Sequence, residues 1–570
     1  MTPALITQKK WRVCSPSPET QTLLHETLGI HRIAAQVLLN RGITDAAQAR
    51  AFLDADAQSL HDPFLLKDMD RAIERVRQAQ RNGETVVVFG DYDVDGITAS
   101  VVLRQVLERF GIKVVNHIPD RMGEGYGLND QVVEVARTAQ AGLMISIDCG
   151  ITALNEARLL NDHGIDLIII DHHEPSDQGI PEAVAVIDPK RADCPYPFKH
   201  LAAVGLAAKF AQAMFGEVPR DILDFVALGT IADVVPLHGE NRIFVKQGLP
   251  CIETTRNKGL QALLDVARIK GKSLRPYHAG FVIGPRINAA GRMDSARRAL
   301  DLFLSDDEVK ALHLAQDLDQ INTQRQQMQQ KIIREALDMV QQSHHLQEQS
   351  VIVLAKEGWH IGVLGIVASR IAETFYRPAI VASLDDERGI ASARSIENFH
   401  LHEALNHCAG DLEEFGGHKL AAGLKVSRDN LERFTDRINA YARQALQDED
   451  LTPILNIDCA VPLSQLDVDL VRLIDSFEPY GEGNRTPIFC SYNVQVKSRP
   501  AVLARNTLKF WVSDGRQTWS VVGFGMGNYA QHFNLGDMVD VAYELAIDDW
   551  NKAPTVQLKL KDLRLKRSSG

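Results

Sequence analysis

The chain has 570 residues, of which 45% are hydrophobic and 24% are charged, as in an ordinary globular protein, and this length predicts about three or four domains. The net charge of −12 excludes a protein that is basic over its whole surface, so any surface for nucleic acid must be local. Because the sequence has neither a signal-peptide pattern nor an apolar run of about 20 residues, we expect a soluble, cytoplasmic protein with no membrane partner.

The first 65 residues predict a helical N-terminal region. Thr44 is the candidate N-cap of a helix over residues 45–53. Apolar residues at helical spacing predict a second helix over 68–81, and Asn82-Gly83 should end it.

Three aspartates follow the apolar run 86–89 at alternate positions, as Asp91, Asp93 and Asp95. The run predicts a buried parallel strand, and the residues after Gly96 predict a helix. Ligands of open α/β sheets bind at such strand-to-helix junctions, and crowded carboxylates repel one another unless a cation neutralises them. On this stretch alone a solvated acidic turn remains an alternative. An EF-hand is excluded, because its twelfth position would be Val102 and a strand precedes it.

Strands over 114–118, 143–147 and 167–170 alternate with helices over 130–139 and 153–163, which predicts a doubly wound parallel sheet. The second of these strands ends in Asp148, and the third ends in Asp171-His172-His173. Since the carboxyl ends of parallel strands share one edge, we expect Asp148 and His172 to face the same crevice as the three aspartates.

Two helical stretches follow, over 201–215 and 223–236, and Asp233 lies in the apolar second one. A carboxylate there is costly unless it is paired or bound to a cation, and the alternative is an N-cap or turn acid. Carboxylates with one or two imidazoles suit Mn²⁺ or Mg²⁺. The ligands suffice for two ions with a bridging carboxylate, an arrangement that activates water for phosphoester hydrolysis.

Together these motifs resemble the four motifs of the DHH phosphoesterase superfamily. Their detailed forms are similar to those of its single-strand-specific 5′→3′ exonucleases. The stretches that carry the resemblance are 91–96, Asp148, 171–173 and 229–237.

The resemblance implies that Asp93 and Asp148 hold one metal ion, with Asp91 helping. It implies that Asp95, His172 and Asp233 hold a second ion, with Asp148 as the bridge. His173 would contact the scissile phosphate, and Asp171 would orient the imidazoles. Pyrophosphatases of the superfamily have a histidine where this chain has Phe89, so the resemblance leaves the full ligand set of the first ion open.

The segment 284–294 contains Arg286, Asn288 and Arg292 and is predicted to be a glycine-rich turn. Its two arginines could grip phosphate, and the alternative is a surface turn with ordinary salt bridges. The exonucleases of the superfamily have a similar pattern here, which favours phosphate binding.

An unbroken helix is predicted over 306–340, about 50 Å long, followed by a second α/β unit. The glycines of 416–423 resemble the signature of a DHHA1 domain, which binds substrate beside DHH domains. Ser392 and Arg394, with Arg286, are assigned to the 5′-terminal phosphate, and His418 supplies another donor. A tight turn is the alternative explanation of the glycines.

Short alternating runs from about residue 455 predict a small antiparallel barrel, most simply an OB-fold. Basic groups that track phosphates and aromatic faces that stack bases are typical of single-strand binders, although any one ring could instead belong to the core. The candidates are Lys497, Arg499, Lys509, Phe510, Trp511 and Trp519.

The predicted fold class is therefore α/β with a C-terminal β-barrel. The predicted domains are a helical region over 1–65, a DHH domain over 66–300, a linking helix over 301–345, a DHHA1 domain over 346–450 and an OB-like domain over 451–570.

The resemblance implies an exonuclease that releases 5′-mononucleotides from single-stranded DNA in recombination, mismatch repair and DNA repair. It also implies a single-stranded-DNA-binding protein and a RecQ-type helicase as partners, and we expect a monomer. One alternative is a phosphodiesterase for oligonucleotides or cyclic dinucleotides, which would not need the barrel. Another is an inactive replication scaffold, which would have lost metal ligands.

Overall fold

The computed structural model describes residues 9–120, 127–549 and 553–565. It falls into two compact units, one over Arg12–Asp319 and Asn456–Gly570 and the other over Met1–Trp11 and Gln320–Leu455. Among the described residues, none of the helices combines the length and the apolar character needed to cross a bilayer.

The N-terminal region is helical, as predicted, apart from one short strand. Its third helix begins one residue later than predicted, because Asp45 and not Thr44 is the N-cap. The Asp45 carboxylate accepts a hydrogen bond from the backbone N–H of Gln48 at 2.8 Å. The elements are β1 (Lys10–Val13), α1 (Pro18–Leu28), α2 (Arg32–Asn40) and α3 (Ala46–Asp54).

A five-stranded, wholly parallel sheet forms the centre of the next region, which confirms the doubly wound prediction. The strand order is β3-β2-β4-β5-β6, so the chain reverses its winding direction between β2 and β4. Ligands of such sheets bind at this switch point. The elements are α4 (Met69–Asn82), β2 (Thr85–Gly90), α5 (Val94–Arg109), β3 (Lys113–His117), α6 (Val132–Thr138), β4 (Ala141–Ile147), α7 (Leu154–Asp162), β5 (Asp166–Ile170) and β6 (Ala185–Ile187).

Seven helices follow the sheet, and one of them corrects a prediction. The predicted glycine-rich turn is instead a helix over Gly284–Met293, and a π-helical stretch, Ala279–Ile283, precedes it. Gly291 serves close packing here, since a Cβ at this position would lie 3.1 Å from the carbonyl oxygen of Tyr92. The elements are α8 (Ala203–Phe215), α9 (Leu223–Ala232), α10 (Gly239–Glu253), α11 (Lys258–Val266), α12 (Pro276–His278), α13 (Gly284–Met293) and α14 (Arg297–Phe303).

The predicted long helix is present as α15 (Glu308–Gln342), 35 residues long, and it continues from one unit into the other. The second unit contains a sheet of order β10-β11-β9-β8-β7, in which only β7 and β8 are parallel. The elements are α16 (His344–Glu348), β7 (Ile352–Glu357), α17 (Leu364–Phe375), β8 (Ala379–Leu384), β9 (Arg388–Arg394), α18 (Leu401–His407), β10 (Glu414–Gly417), β11 (Ala421–Ser427) and α19 (Leu431–Ala445).

A closed barrel forms the C-terminal region, as predicted. Its strand order is β13-β14-β18-β19-β17-β16-β15, and pairing of β14 with β16 closes it. The barrel is not wholly antiparallel, because β17 runs parallel to β19 and β13 parallel to β14. The elements are β12 (Ile454–Ile457), β13 (Cys459–Ala460), α20 (Val468–Asp475), β14 (Phe489–Val496), β15 (Ala501–Leu503), β16 (Thr507–Ser513), β17 (Thr518–Gly523), β18 (Met538–Asp548) and β19 (Thr555–Leu565).

The N-terminal helices share one hydrophobic core with this barrel. Leu24 of α1 and Leu38 of α2 belong to the same buried cluster as Phe489 and Val541 of the barrel. The N-terminal region is thus part of the barrel's support, a long-range relationship that the local sequence pattern does not reveal.

Candidate metal centre

The turn after β2 is tighter than the sequence predicted. Helix α5 begins at Val94, and the carboxylate of its N-cap, Asp93, accepts a hydrogen bond from the backbone N–H of Gly96 at 3.0 Å. Gly96 is required there, because a Cβ would lie 2.6 Å from the carbonyl oxygen of Asp91. The result is that Asp95 lies in the first helical turn and close to the strand end.

Asp95 is buried, and its carboxylate faces the N-terminus of α8. It accepts hydrogen bonds from the backbone N–H groups of Ala203 at 2.6 Å and Val204 at 2.9 Å, as anions do at helix N-termini. Burial, and then the charge of Asp93, nevertheless raise the pKa of Asp95 to about 7. A neighbouring cation would hold this carboxylate in its charged form.

Asp148 follows β4 directly, on the other side of the switch point from Asp91. Its backbone has the left-handed φ of 64°, and its N–H donates to the carbonyl oxygen of Ile170, which fixes the buried carboxylate at the sheet edge. Burial, followed by the charges of the surrounding aspartates, raises the pKa of Asp148 well above its ordinary value.

Asp233 lies directly after α9, at its C-cap. The predicted helix therefore ends at Ala232 and not at residue 236, so Asp233 lies in the turn after a helix and is not an N-cap. A helix C-terminus is an unfavourable place for a carboxylate. Burial, and then the charges of Asp95 and Asp93, raise the pKa of Asp233 well above its ordinary value, so this acid also requires a cation in order to remain charged.

His172 lies among these acids. Its Nε2 atom is 3.2 Å from Asp148 Oδ1, 3.7 Å from Asp233 Oδ2 and 4.0 Å from Asp95 Oδ2. Burial lowers the pKa of His172 to about 3, so the ring is neutral and can offer a lone pair. In the described part of the chain, neither its Nε2 nor Asp233 Oδ2 has a hydrogen-bond partner although both are buried.

The residues present therefore fit a divalent cation. Carboxylate oxygens with one neutral imidazole are the donors that Mn²⁺ and Mg²⁺ accept. Each of three groups has ligand atoms within 4.8 Å of one another. They are Asp91, Asp93 and Asp148; Asp95, His172 and Asp233; and Asp148, His172 and His173.

His173 is held by the buried Asp171. Its Nδ1 lies 2.7 Å from Asp171 Oδ1, and the other carboxylate oxygen accepts the backbone N–H of Ile151 at 2.9 Å. Burial alone would lower the pKa of His173, but the hydrogen bond to Asp171 and the charge of that carboxylate outweigh it and raise the pKa. His173 is therefore better able to carry a proton than His172.

The predicted phosphate ligands of α13 are partly buried. Arg286 forms an ion pair with Asp319 at 2.9 Å and also donates to the carbonyl oxygen of Val282. Asn288 and Arg292 lie half-buried on the same helix. A phosphate at Arg286 would have to compete with Asp319.

The candidates of the second unit lie in its sheet. Ser392 and Arg394 lie on β9, and a Cβ at Gly365 in the first turn of α17 would be 3.0 Å from Arg394 Nη2 and 3.8 Å from Ser392 Oγ. These two side chains thus converge beside a helix N-terminus, where anions are favoured. His418 is exposed in the hairpin between β10 and β11, and its backbone N–H donates to the carbonyl oxygen of Ala421, which pairs with Arg394.

The residues of the barrel that were predicted to bind DNA differ in exposure, and on β16 the exposure alternates along the strand. Phe510 is 1% exposed and belongs to the barrel core, so its predicted role in base stacking is wrong. Trp511, the next residue, is 43% exposed, because successive side chains of a strand face opposite sides. Trp519 is half-buried, and its indole N–H donates to the carbonyl oxygen of Leu463. Of the basic candidates, Lys497 and Arg499 are exposed and Lys509 is half-buried.

One aromatic pair near the centre was missed. Tyr277 and Phe281 are both mostly exposed and stack with ring centroids 5.4 Å apart. Together with Val234, the residue after Asp233, they line a cavity of about 460 Å³. Tyr480, which precedes the barrel strand β14 in the sequence, lines the same cavity. The spacing of four residues between Tyr277 and Phe281 reads as a core face of a helix, so the sequence offered no signal that they are exposed.

Comparisons with known proteins agree with this architecture. Three family models match the chain: the DHH family N-terminal domain over residues 85–230, the DHHA1 domain over 348–444 and the RecJ OB domain over 457–562. The single-stranded-DNA-specific exonuclease RecJ of Bacillus subtilis is 37% identical over 561 residues, which cover 98% of this chain and 71% of that protein. The RecJ protein of Dickeya dadantii is 31% identical, over 96% of this chain and 98% of its own.

Solved structures give the same result. The crystal structure of RecJ in complex with Mn²⁺ from Thermus thermophilus has a TM-score of 0.84 at 30% identity and covers 98% of this chain and 80% of its own. The Mg²⁺ complex of the same protein has a TM-score of 0.78 at 27% identity, over 98% of this chain and 79% of its own. With similarity of this extent in sequence, domain order and fold, the chain belongs to the RecJ family.

Proposed function

We propose that this protein is a metal-dependent exonuclease that degrades single-stranded DNA from its 5′ end and releases 5′-mononucleotides. The observation that carries the proposal is the meeting of five carboxylates and the neutral His172 at the switch point of the sheet, in a chain whose relatives are named as such exonucleases. Recombination, mismatch repair and DNA repair are the processes in which we expect it to act.

In this proposal Asp91, Asp93 and Asp148 would hold one divalent ion. Asp95, His172 and Asp233 would hold a second, and Asp148 would contribute to both. Bound Mn²⁺ or Mg²⁺ supplies the positive charge that polarises a phosphodiester and activates water. The acids themselves provide no such charge, so removal of the ions should abolish hydrolysis.

We infer that His173 contacts the scissile phosphate. Its ring is held by Asp171 through Nδ1, and its side chain is 45% exposed, so a substrate can reach the ring from the edge of the centre. A protonated imidazole there would donate a hydrogen bond to the scissile phosphate. Asp171 would then act by fixing the orientation and proton of that ring.

Ser392 and Arg394 are proposed ligands of a 5′-terminal phosphate, with His418 as a further donor. Their support is the convergence of a hydroxyl and a guanidinium on the first turn of α17. Arg286, Asn288 and Arg292 on α13 stay separate candidates for phosphate contact.

The strand beyond the scissile bond would pass the aromatic pair. Bases stack on exposed aromatic faces with little dependence on sequence, and Tyr277 with Phe281 offers two such faces on the cavity that begins beside Asp233. Trp511 offers a further exposed ring on the barrel, where the backbone N–H of Lys497 donates to its carbonyl oxygen. Lys497 and Trp511 are therefore opposite each other on neighbouring chain segments, and both are exposed.

Two alternatives are less well supported. A phosphodiesterase for dinucleotides would not need the barrel, which matches the RecJ OB domain. An inactive scaffold would not need the centre's full set of acids and imidazoles. A monomeric state, a cytoplasmic location, and partnership with a single-stranded-DNA-binding protein and a RecQ-type helicase stay predictions, which gel filtration, fractionation and pull-down would test.

The decisive experiment is digestion of one single-stranded oligonucleotide, labelled at its 5′ end or at its 3′ end, with Mn²⁺. We expect early release of labelled mononucleotide from the 5′-labelled strand only, and none with Asp148→Asn. The control is Asp177→Asn, which changes an exposed acid of the same region. Intact DNA together with cleaved cyclic or linear dinucleotides would contradict the proposal and favour the phosphodiesterase.

A further inference from the structure

We propose that Lys190 is a substrate-positioning residue that binds a DNA phosphate at the edge of the metal centre. This inference rests on the proposed function and assigns a role to a cation that the motifs do not contain. Its first support is topological. Strand β6 pairs in parallel with β5, with Ile187 opposite Ile170, and the backbone N–H of Asp171 donates to the carbonyl oxygen of Ile187.

The residues after β6 therefore emerge at the same sheet edge as Asp171 and His172. Asp188 is fully buried there, and one of its carboxylate oxygens accepts the backbone N–H of Lys190 at 2.7 Å. Pro189 between them restricts the backbone further. The lysine side chain thus starts from a fixed point beside the centre, as a positioning residue requires.

The ammonium group reaches the rim of the centre. Its ion pair with Glu174, the residue directly after His173, holds the ammonium group beside the centre. The positive charge of Lys190 acts on His172, His173 and Asp233. Its side chain remains 24% exposed, so substrate can reach it. An approaching DNA strand is repelled by the aspartates, and a lysine at their edge offers three donors and a compensating charge.

The present partner of Lys190 can be displaced. Its Nζ lies 3.2 Å from Glu174 Oε1, and the glutamate side chain is 70% exposed. Exposed ion pairs of this kind contribute little free energy, so a phosphate oxygen could take the place of the Glu174 carboxylate. Glu174 would then hold the ammonium in position in the free protein and compete weakly with substrate.

The test compares steady-state hydrolysis of single-stranded DNA by the full chain and by Lys190→Met, with Mn²⁺, over a series of salt concentrations. We expect KM to rise about tenfold, as for one lost charge-assisted contact, while kcat changes less than about threefold. The slope of log(kcat/KM) against log[salt] should become less negative by about 0.7, the value for one phosphate contact on a single strand. Lys190→Arg should retain most of the affinity.

The matched control is Lys113→Met, which removes an exposed lysine at the amino end of β3, the opposite edge of the same sheet. Equal kinetics of the two methionine variants, or a loss confined to kcat, would overturn the inference. If Lys190→Met does not fold, Glu174→Gln decides, because it should lower KM and an unchanged or higher KM would contradict us. If the unaltered chain does not hydrolyse single-stranded DNA, the proposed function is wrong. The inference about Lys190 is contradicted only when the unaltered chain is active and Lys190→Met does not raise KM.

Discussion

The Nδ1 atom of His173 lies 2.7 Å from Oδ1 of Asp171, and the same oxygen accepts the backbone N–H of His172 at 2.7 Å. One buried carboxylate thus sets the ring of one imidazole and the backbone of the other. As a result, Asp171 can orient both histidines that follow it, while His172 and His173 point their rings to different partners.

We expect Asp171→Asn to lower kcat about 10-fold to 100-fold, the usual cost of losing a residue that orients metal or substrate ligands. The amide keeps the volume but removes the charge that holds the His173 ring. Steady-state kinetics with Mn²⁺ measure the effect, and thermal unfolding checks that the fold is retained. Activity within twofold of the unaltered chain would show that Asp171 is dispensable.

Metal binding should also be visible without any reaction. Mn²⁺ that binds only the folded state raises the unfolding temperature, and it relieves the repulsion among the buried aspartates. We expect Asp148→Asn to lose most of this Mn²⁺-dependent rise. In chelator, the same variant should unfold at or above the temperature of the unaltered chain, because it buries one carboxylate fewer.

Differential scanning fluorimetry measures the unfolding temperature in chelator and its rise with Mn²⁺. Asp177→Asn, the exposed control, should behave like the unaltered chain in each condition. A full Mn²⁺ response of Asp148→Asn would exclude Asp148 as a ligand.

A buried ion pair supports the fold away from the metal centre. Lys209 Nζ lies 3.0 Å from Glu240 Oε1, and Glu240 also accepts hydrogen bonds from the hydroxyl of Tyr196 and the backbone N–H of His61. We expect Lys209→Met to lower the free energy of unfolding by about 3–5 kcal/mol, because Glu240 would stay buried without a counter-charge.

Urea unfolding of a double-mutant cycle tests this. Lys209→Met combined with Glu240→Gln should lose clearly less than the sum of the two single losses. Additive losses would mean that the two side chains do not interact energetically.

The sequence predicted the sheet and the composition of the centre because both depend on local patterns. Apolar runs that end in Asp148 or in 171–173 identify strands, and parallel strands bring their ends together. The helical state of 284–293 was not predicted, since its glycines read as a turn while Gly291 in fact packs against Tyr92. The Arg286–Asp319 pair joins residues 33 positions apart, and no local pattern encodes such a contact.

The sequence also did not predict which individual side chains are buried. The alternating runs identified the barrel, but the assignment of both Phe510 and Trp511 to DNA contact ignored that neighbours on a strand face opposite sides. The exposure of Tyr277 and Phe281 likewise depends on what the remainder of the fold leaves uncovered.

The buried Asp224 predicts a pH dependence of stability. Burial raises its pKa to about 6, although Thr255 and the backbone N–H of Phe225 donate to its carboxylate. Between about pH 4 and pH 6 the folded state then binds more protons at this site than the unfolded state, so its contribution to stability falls as pH rises.

Asp224→Asn lacks this titration. Its free energy of unfolding, relative to that of the unaltered chain, should therefore increase by about 2–3 kcal/mol from pH 4 to pH 7, at roughly 1.4 kcal/mol for each unit of pKa difference. Denaturant unfolding at several pH values measures the change. A difference that is constant over this range would contradict the raised pKa.

Neighbouring residues of β16 provide a matched pair for the DNA-binding role of the barrel. Phe510→Ala should lower the free energy of unfolding by about 3–5 kcal/mol, since it empties part of the core. Trp511→Ala should change stability by less than about 0.5 kcal/mol but weaken binding of single-stranded DNA about tenfold, the lower end of one lost base stack.

Fluorescence anisotropy of a labelled single strand in chelator, where hydrolysis should be blocked, measures the affinity, and thermal unfolding measures the stability. Phe510→Ala should lose stability, because its ring belongs to the barrel core, whereas Trp511→Ala should lose affinity for DNA, because its ring faces solvent beside Lys497. If Trp511→Ala binds DNA as tightly as the unaltered chain, this face of the barrel is not the one that the strand follows.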